Sequence, residues 1–302
     1  PALTARHDNR PVGLVYTGGT FGMVPSAGGL VPSADLPQRL GDALAERDDA
    51  GLPRLEWLDH GWPPLASSDI RPPLWHDLAD AIRRAAERCA GFVVIHGTDT
   101  LAYTGAALSF LLAGLARPVV VTGARAPLGE PDSDAADNLV HALRVAAAGR
   151  TSEVTLAFGD RLLRANRATK RHGSRDNPFS SPCLEPLAAL DGDVRWTETP
   201  PPAADEPLPD VAAPDARVAV LPAYPGIDGD TVRAMTRAAP QGLVLEGYSA
   251  GVGPGGDAGF VAALREAVAA GTVVGAVAQA RQGSIRMGKY ATSTPIAAAG
   301  VV

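Results

Sequence analysis

Cysteine is scarce. Cys89 and Cys183 are the only two in 302 residues, they lie far apart, and they match no metal-ligating spacing, so a reducing compartment is expected. None of the six histidines forms an HxxxH pair, which argues against a zinc site. Charge of one sign is never concentrated: the net charge is −6 and no block of five or more like charges occurs. A nucleic-acid surface and a polybasic membrane patch are therefore not expected. Long apolar runs are absent as well. The opening from Pro1 to Arg10 is polar, without a signal peptide's apolar stretch, and nothing downstream is long enough to span a bilayer.

What is present is a core. The chain is 46% hydrophobic, and at this length two domains are expected rather than one. Short apolar runs at Val12 to Tyr16, Phe92 to Ile95, Pro118 to Thr122 and Val154 to Phe158 predict strands. Between them, Leu74, Leu78 and Ile82 recur at helical spacing, with Ala85 and Cys89 extending the face. Asp134 to Ala148 predicts another helix, capped near Ser133 and closed by Gly149. Strands alternating with helices predict an α/β fold of mostly parallel sheets with helices on both faces. From Asp191 to Asp215 the chain turns rich in proline and acid and poor in large apolar residues, which predicts a linker. Alternation resumes with strands at Val218 to Leu221, Leu243 to Leu245 and Val273 to Val277, and helices near Thr231 and Phe260. The expected division is an N-terminal domain over 1–190, a linker over 191–215 and a smaller C-terminal domain over 216–302.

Two short motifs are set aside. Gly247-Tyr248-Ser249-Ala250-Gly251 spells the nucleophile elbow of α/β-hydrolases, but in those enzymes the histidine follows the serine, and here all six histidines precede Ser249. Gly251, Gly253 and Gly256 spell a dinucleotide fingerprint. No acid stands near Val273 to Gln279 to hold a ribose, and Pro254 sits inside the turn.

The stretch VGLVYTGGTFG, Val12 to Gly22, is more telling. A strand leaves through two glycines flanked by Thr17 and Thr20, either as a plain tight turn or to lift a hydroxyl into a site. A second strand runs into His96-Gly97-Thr98-Asp99-Thr100. In open parallel sheets, ligands sit beyond the carboxyl ends of the strands, which would bring Thr20, Thr98 and Asp99 to one rim. Thr98 or Asp99 as a simple helix cap remains the alternative. Lys170, in a basic loop after Val154 to Phe158, and Ser67-Ser68-Asp69 are each ambiguous alone.

Together TGGT, SSD, HGTDT, RANRATK, LPAYPG and AGVG resemble the L-asparaginase (asparaginase/glutaminase) family over nearly the whole chain, and YTGGT and NRATK are most similar to its cytoplasmic type I branch. The resemblance implies cleavage of a small-molecule side-chain amide through a threonine acyl-enzyme, without metal or organic cofactor, by a cytoplasmic homodimer or homotetramer. It implies that Thr20 is the nucleophile, and that Thr98, Asp99 and Lys170 form a second catalytic group. Substrate binding would fall to Ser67, Ser68, Thr98 and Asp99. A threonine hydroxyl needs a base to become a nucleophile, and a lysine that gives up its proton can serve as one. Two departures stand out. The loop FGMVPSAGGLVPSAD has Leu30 about where the type I tyrosine is expected, and Pro254 replaces the asparagine of AGVGN.

Overall fold

The computed structural model describes residues 9–47, 51–173, 177–197, 216–283 and 285–302. Contacts divide the chain into one unit up to Ala213 and another from Pro214.

In the first unit the order is β1 (Val12–Tyr16), β2 (Met23–Ser26), β3 (Gly29–Pro32), α1 (Leu36–Ala45), β4 (Leu55–Trp57), α2 (Pro72–Ala85), β5 (Gly91–Ile95), α3 (Leu101–Leu111), β6 (Val119–Thr122), α4 (Ala135–Ala148), β7 (Val154–Phe158), β8 (Arg161–Arg164), β9 (Thr169–Lys170), β10 (Phe179–Ser180), β11 (Ala188–Asp191) and β12 (Asp193–Trp196). Eight of these strands form one sheet in the order β12-β11-β8-β7-β6-β5-β1-β4. The run from β7 to β4 is parallel, and β8, β11 and β12 are antiparallel. Strands β1, β5 and β7 are buried at every residue, as expected for apolar runs covered on both faces.

The two faces carry separate cores. Leu14, Val93 and Val120 pack with Leu36 and Leu40 of α1 and Leu139 and Leu143 of α4. Their sequence neighbours Val15, Val94 and Val121 point the other way, onto Leu78 and Ile82 of α2 and Leu101 and Leu108 of α3. The period-2 alternation of strand side chains divides the helices between the faces.

The second unit holds β13 (Val218–Pro222), α5 (Gly229–Ala238), β14 (Gly242–Gly247), α6 (Ala258–Ala269), β15 (Val273–Ala278) and α7 (Thr294–Ala298). Its three strands are parallel, in the order β13-β14-β15. Both main helices start on an aspartate that accepts from the backbone N–H three residues on: Asp228 from Thr231 and Asp257 from Phe260, each at 2.9 Å. This satisfies one of the orphan donors of the first turn.

One boundary moves. The expected linker from Asp191 begins as structure, because β11 and β12 form a hairpin on the sheet edge, with Leu190 opposite Val194 and Ala188 opposite Trp196. Val194 and Trp196 are partly buried on the core, and the Arg150 guanidinium lies 5.0 Å over the Trp196 ring. Two apolar anchors on one face suffice to hold a strand in this acid-rich stretch. The remaining linker residues, 198–215, lie outside the described residues.

Candidate active site

Strand β1 ends at Tyr16 and the chain turns through Gly18 (φ 116°) and Gly19 (φ 80°) into a 3-10 turn over Thr20–Gly22. Both glycines are required twice over. Their φ values belong to the left-handed region that side chains avoid, and neither has room for a β-carbon. At Gly18 it would lie 2.0 Å from the Leu65 carbonyl oxygen, and at Gly19 2.2 Å from the Gly97 Cα. TGGT is thus more than a tight turn: it is where backbone from the ends of β1 and β5 is packed glycine against glycine.

The two threonines of the motif differ accordingly. Thr17 is buried, and its hydroxyl donates to the Ile95 carbonyl at 3.1 Å, beside a backbone bond from its own N–H at 2.9 Å. Thr20 is only partly buried and lies beyond the strand end, at the start of the 3-10 turn.

A third segment closes on these two. The Leu65 backbone brackets the turn, its N–H donating to the Thr17 carbonyl at 2.8 Å and its carbonyl accepting from Gly19 at 3.0 Å. Ser67 follows, buried, and a β-carbon on Gly97 would lie 2.7 Å from its Oγ. The Thr100 hydroxyl donates to the Ser67 carbonyl at 2.7 Å. TGGT, HGTDT and SSD are therefore held together through backbone. Ser68 is exposed at the edge of this cluster.

Lys170 arrives from the other side. The buried Ala165 packs on α3, where a β-carbon on Gly105 would meet its Cβ at 2.9 Å. A 3-10 turn over Ala165–Arg167 then leads into β9, paired with β10 so that Lys170 stands opposite Phe179. The Lys170 Nζ donates to Thr98 Oγ1 at 2.9 Å and to Asp99 Oδ1 at 2.7 Å. Three residues from two distant loops meet at one ammonium. Lys170 is 22% exposed and Asp99 74%, so the cluster faces solvent on its carboxylate side.

Behind HGTDT lies a buried polar chain. His96 Nδ1 is 2.8 Å from the Gly97 carbonyl, which can only accept, so Nδ1 carries the hydrogen. Nε2 then accepts from the Thr104 hydroxyl at 2.9 Å, and Thr104 in turn accepts from Trp75 Nε1–H at 2.9 Å. Every member is satisfied with neutral imidazole. Burial pushes the His96 pKa down to about 4, opposed only by the Gly97 carbonyl. The chain ties α2 and α3 to the backbone that presents Thr98. Residue type alone does not single out Trp75 and Thr104, because their roles depend on two helices meeting at His96.

The hairpin of β2 and β3 occupies the loop that follows Thr20. Leu30 lies on β3 opposite Pro25 and is 47% exposed.

This α/β architecture, with its threonine-bearing glycine turns interlocked at the strand ends, defines the class. Residues 11–202 match the family described as Asparaginase, N-terminal, and residues 217–302 match Glutaminase/Asparaginase C-terminal domain. The chain belongs to the asparaginase family. It is 40% identical over 291 residues to L-asparaginase 1 of Escherichia coli (strain K12), covering 96% of this chain and 85% of that one. It is also 35% identical over 310 residues to the 60 kDa lysophospholipase of Homo sapiens, covering 95% of this chain and 54% of that one. Among solved structures, the thermostable L-asparaginase from Thermococcus kodakarensis superposes with a TM-score of 0.85 at 31% identity, over 97% of this chain and 87% of that one. L-asparaginase I from Vibrio cholerae gives a TM-score of 0.84 at 32% identity, with the same coverage.

Proposed function

We propose that this protein is an asparaginase-type amidohydrolase that cleaves the side-chain amide of L-asparagine, or of a related amide, to the acid and ammonia. The observation that carries the reading is Lys170 bridging Thr98 and Asp99, on a loop whose backbone is packed against the Thr20 turn. In this scheme Thr20 Oγ1 bonds to the amide carbonyl carbon and its proton leaves with the nitrogen. Departure of ammonia breaks the C–N bond and leaves a Thr20 ester. Water, activated at Thr98 and Lys170, then attacks the ester, releases the acid and restores the hydroxyl. Ser67 receives the substrate α-carboxylate and Asp99 its α-ammonium, with Ser68 also on the substrate-binding side. Backbone N–H groups near Thr98 stabilise the oxyanion. The scheme calls on no metal and no organic cofactor. The same reading makes the protein a cytoplasmic homodimer or homotetramer; among the described residues no helix is long and apolar enough to cross a membrane.

A second reading is favoured by one specific observation. Leu30 stands where the type I tyrosine is expected, which points to a specialised or weakly active asparaginase-like protein that binds an amino-acid-like ligand or hydrolyses a different amide, such as D-asparagine, glutamine or an asparaginyl peptide.

Ammonia release over L-Asn, D-Asn, L-Gln and asparaginyl peptides separates the readings. Thr20→Ala is expected to lose several orders of magnitude in rate with its fold intact. Thr17→Val is expected to keep the nucleophile and lose about 1 kcal/mol of stability, the worth of one buried hydrogen bond. Near-normal turnover by Thr20→Ala would sink the assignment.

A further inference from the structure

The hairpin after the nucleophile turn has little holding it from above. Its residues are partly buried or exposed throughout, and its tip is closed locally, by the Ser26 hydroxyl donating to the Gly29 carbonyl at 2.6 Å. Its feet are another matter. Gly22, the last residue of the Thr20 turn, presents its carbonyl to Arg39 Nη1 at 3.2 Å, and the same nitrogen lies 3.3 Å from Asp35 Oδ1. Gly22 is where the chain enters the hairpin and Asp35 is where it leaves for α1. Asp35 is the N-cap of α1, yet its side chain makes no capping bond; its carboxylate is turned to the guanidinium instead.

Arg39 also reaches a third element. Its Nη2 donates to the Leu128 carbonyl at 3.4 Å, and the Leu128 N–H donates to the Phe21 carbonyl at 2.9 Å. Phe21, Gly22, Leu128 and Arg39 thus close a ring of hydrogen bonds on the two residues following Thr20. Beneath it lies Tyr16, buried, its hydroxyl so close to Gly22 that a β-carbon there would sit 2.2 Å away. The Ser33 backbone and Arg39 flank the same phenol, and burial raises its pKa to about 12, so it stays neutral.

We infer that Arg39 is a positioning residue for Thr20, a clamp that pins both feet of the hairpin to the nucleophile turn and leaves the tip free to move. The inference rests on the reading of Thr20 as nucleophile, but the clamp itself can be tested apart from catalysis. A planar guanidinium meets several acceptors at fixed angles, which an ammonium does not. Charge-assisted bonds to partly buried carbonyls shift a local opening equilibrium by about tenfold to a hundredfold.

The test compares the full chain with Arg39→Met and Arg39→Lys. Hydrogen–deuterium exchange is followed on peptides covering 21–35 without ligand, and kcat and KM are measured by ammonia release from L-asparagine. For Arg39→Met the clamp requires exchange in 21–35 to rise at least about tenfold while β5 and β6 keep their protection. It also requires kcat to fall about tenfold with KM changed less than about threefold. Arg39→Lys should recover only a minor part of either. Unchanged exchange in 21–35, or loosening spread equally over β5 and β6, would overturn the clamp. A local rise in exchange with kcat unchanged would overturn the positioning role. If the wild-type protein released no ammonia from any amide, the reading of Thr20 would fall while the exchange result still decided the clamp.

Discussion

Acid should loosen this protein through His96, and the effect can be sized. The imidazole is fully buried, with a folded-state pKa of about 4 against an ordinary value of 6.5. Protonating it would place a hydrogen on Nε2, facing the Thr104 oxygen that already accepts from Trp75. The sign follows from proton counting. Between the two values the unfolded chain binds a proton that the folded chain refuses, so stability rises with pH across that window. The contribution is complete above 6.5 and is lost as pH falls toward 4. At about 1.4 kcal/mol per pH unit, the span amounts to about 3 kcal/mol, a large share of a typical folding free energy. Burial lowers His60 and His141 in the same direction, so the whole-protein slope is not His96's alone.

The comparison is therefore with His96→Gln, which keeps an amide in the cavity and cannot titrate. Urea midpoints of both proteins are measured from pH 7.5 down to pH 4. The wild type should lose its advantage over the variant below pH 6.5, by about 3 kcal/mol at the acid end. In parallel, the histidine resonance that disappears in the variant should titrate well below the others. Parallel midpoint curves, or a His96 resonance titrating near 6.5, would refute the buried neutral chain.

Two further outcomes are expected. Lys170→Met should lower kcat by about 10²- to 10⁴-fold, the usual range for a proton-transfer group, with KM nearly unchanged; stability should move by under about 1 kcal/mol because the ion pair is solvent-facing, and a silent Lys170→Met would reduce the contact to surface chemistry. Leu30→Tyr should gain turnover of L-asparagine with stability changed by less than about 0.5 kcal/mol, since Leu30 lies on an exposed hairpin; a loss of activity on a substrate that the wild type cleaves well would mean the hairpin is adapted to that substrate.

Much of the framework is legible in the residues, for reasons that the structure makes plain. Strands β1, β5, β6 and β7 are buried on both faces, so they are written as mostly apolar runs. Helix α4 announces itself by periodicity and by a left-handed Gly149 after its end. Elements that bury little escape. Helix α1 buries only Leu36 and Leu40, and Pro37 obscures its start. The β11–β12 hairpin hides in an acid-rich stretch because two side chains hold it. The loop after TGGT is a paired ribbon anchored at its feet by Arg39, which no local pattern marks. Lys170 illustrates the limit best. Alone it is indistinguishable from a solvated lysine; only the resemblance of RANRATK to a known family singled it out, and its meaning lies in contacts with residues 71 and 72 positions away.

That division bears on how such a site can change. The loops of Thr20, Ser67 and Thr98 are interlocked through backbone, with Gly19 on the Gly97 Cα, Ser67 against Gly97, and Leu65 pairing across Gly18. A β-carbon at Gly19 would have to move another loop, which a flexible side chain could not absorb on its behalf. The relative placement of these threonines is therefore set by backbone packing and tolerates little adjustment. The hairpin is built on the opposite plan. Its tip is closed by its own hydrogen bond, its faces carry the exposed Leu30 and Val31, and its base is held by Arg39. Under the proposed mechanism, substitutions there would change what meets the substrate without moving Thr20, Ser67 or Thr98. That Leu30, rather than a member of the glycine crossing, departs from the type I pattern is what this architecture would lead one to expect.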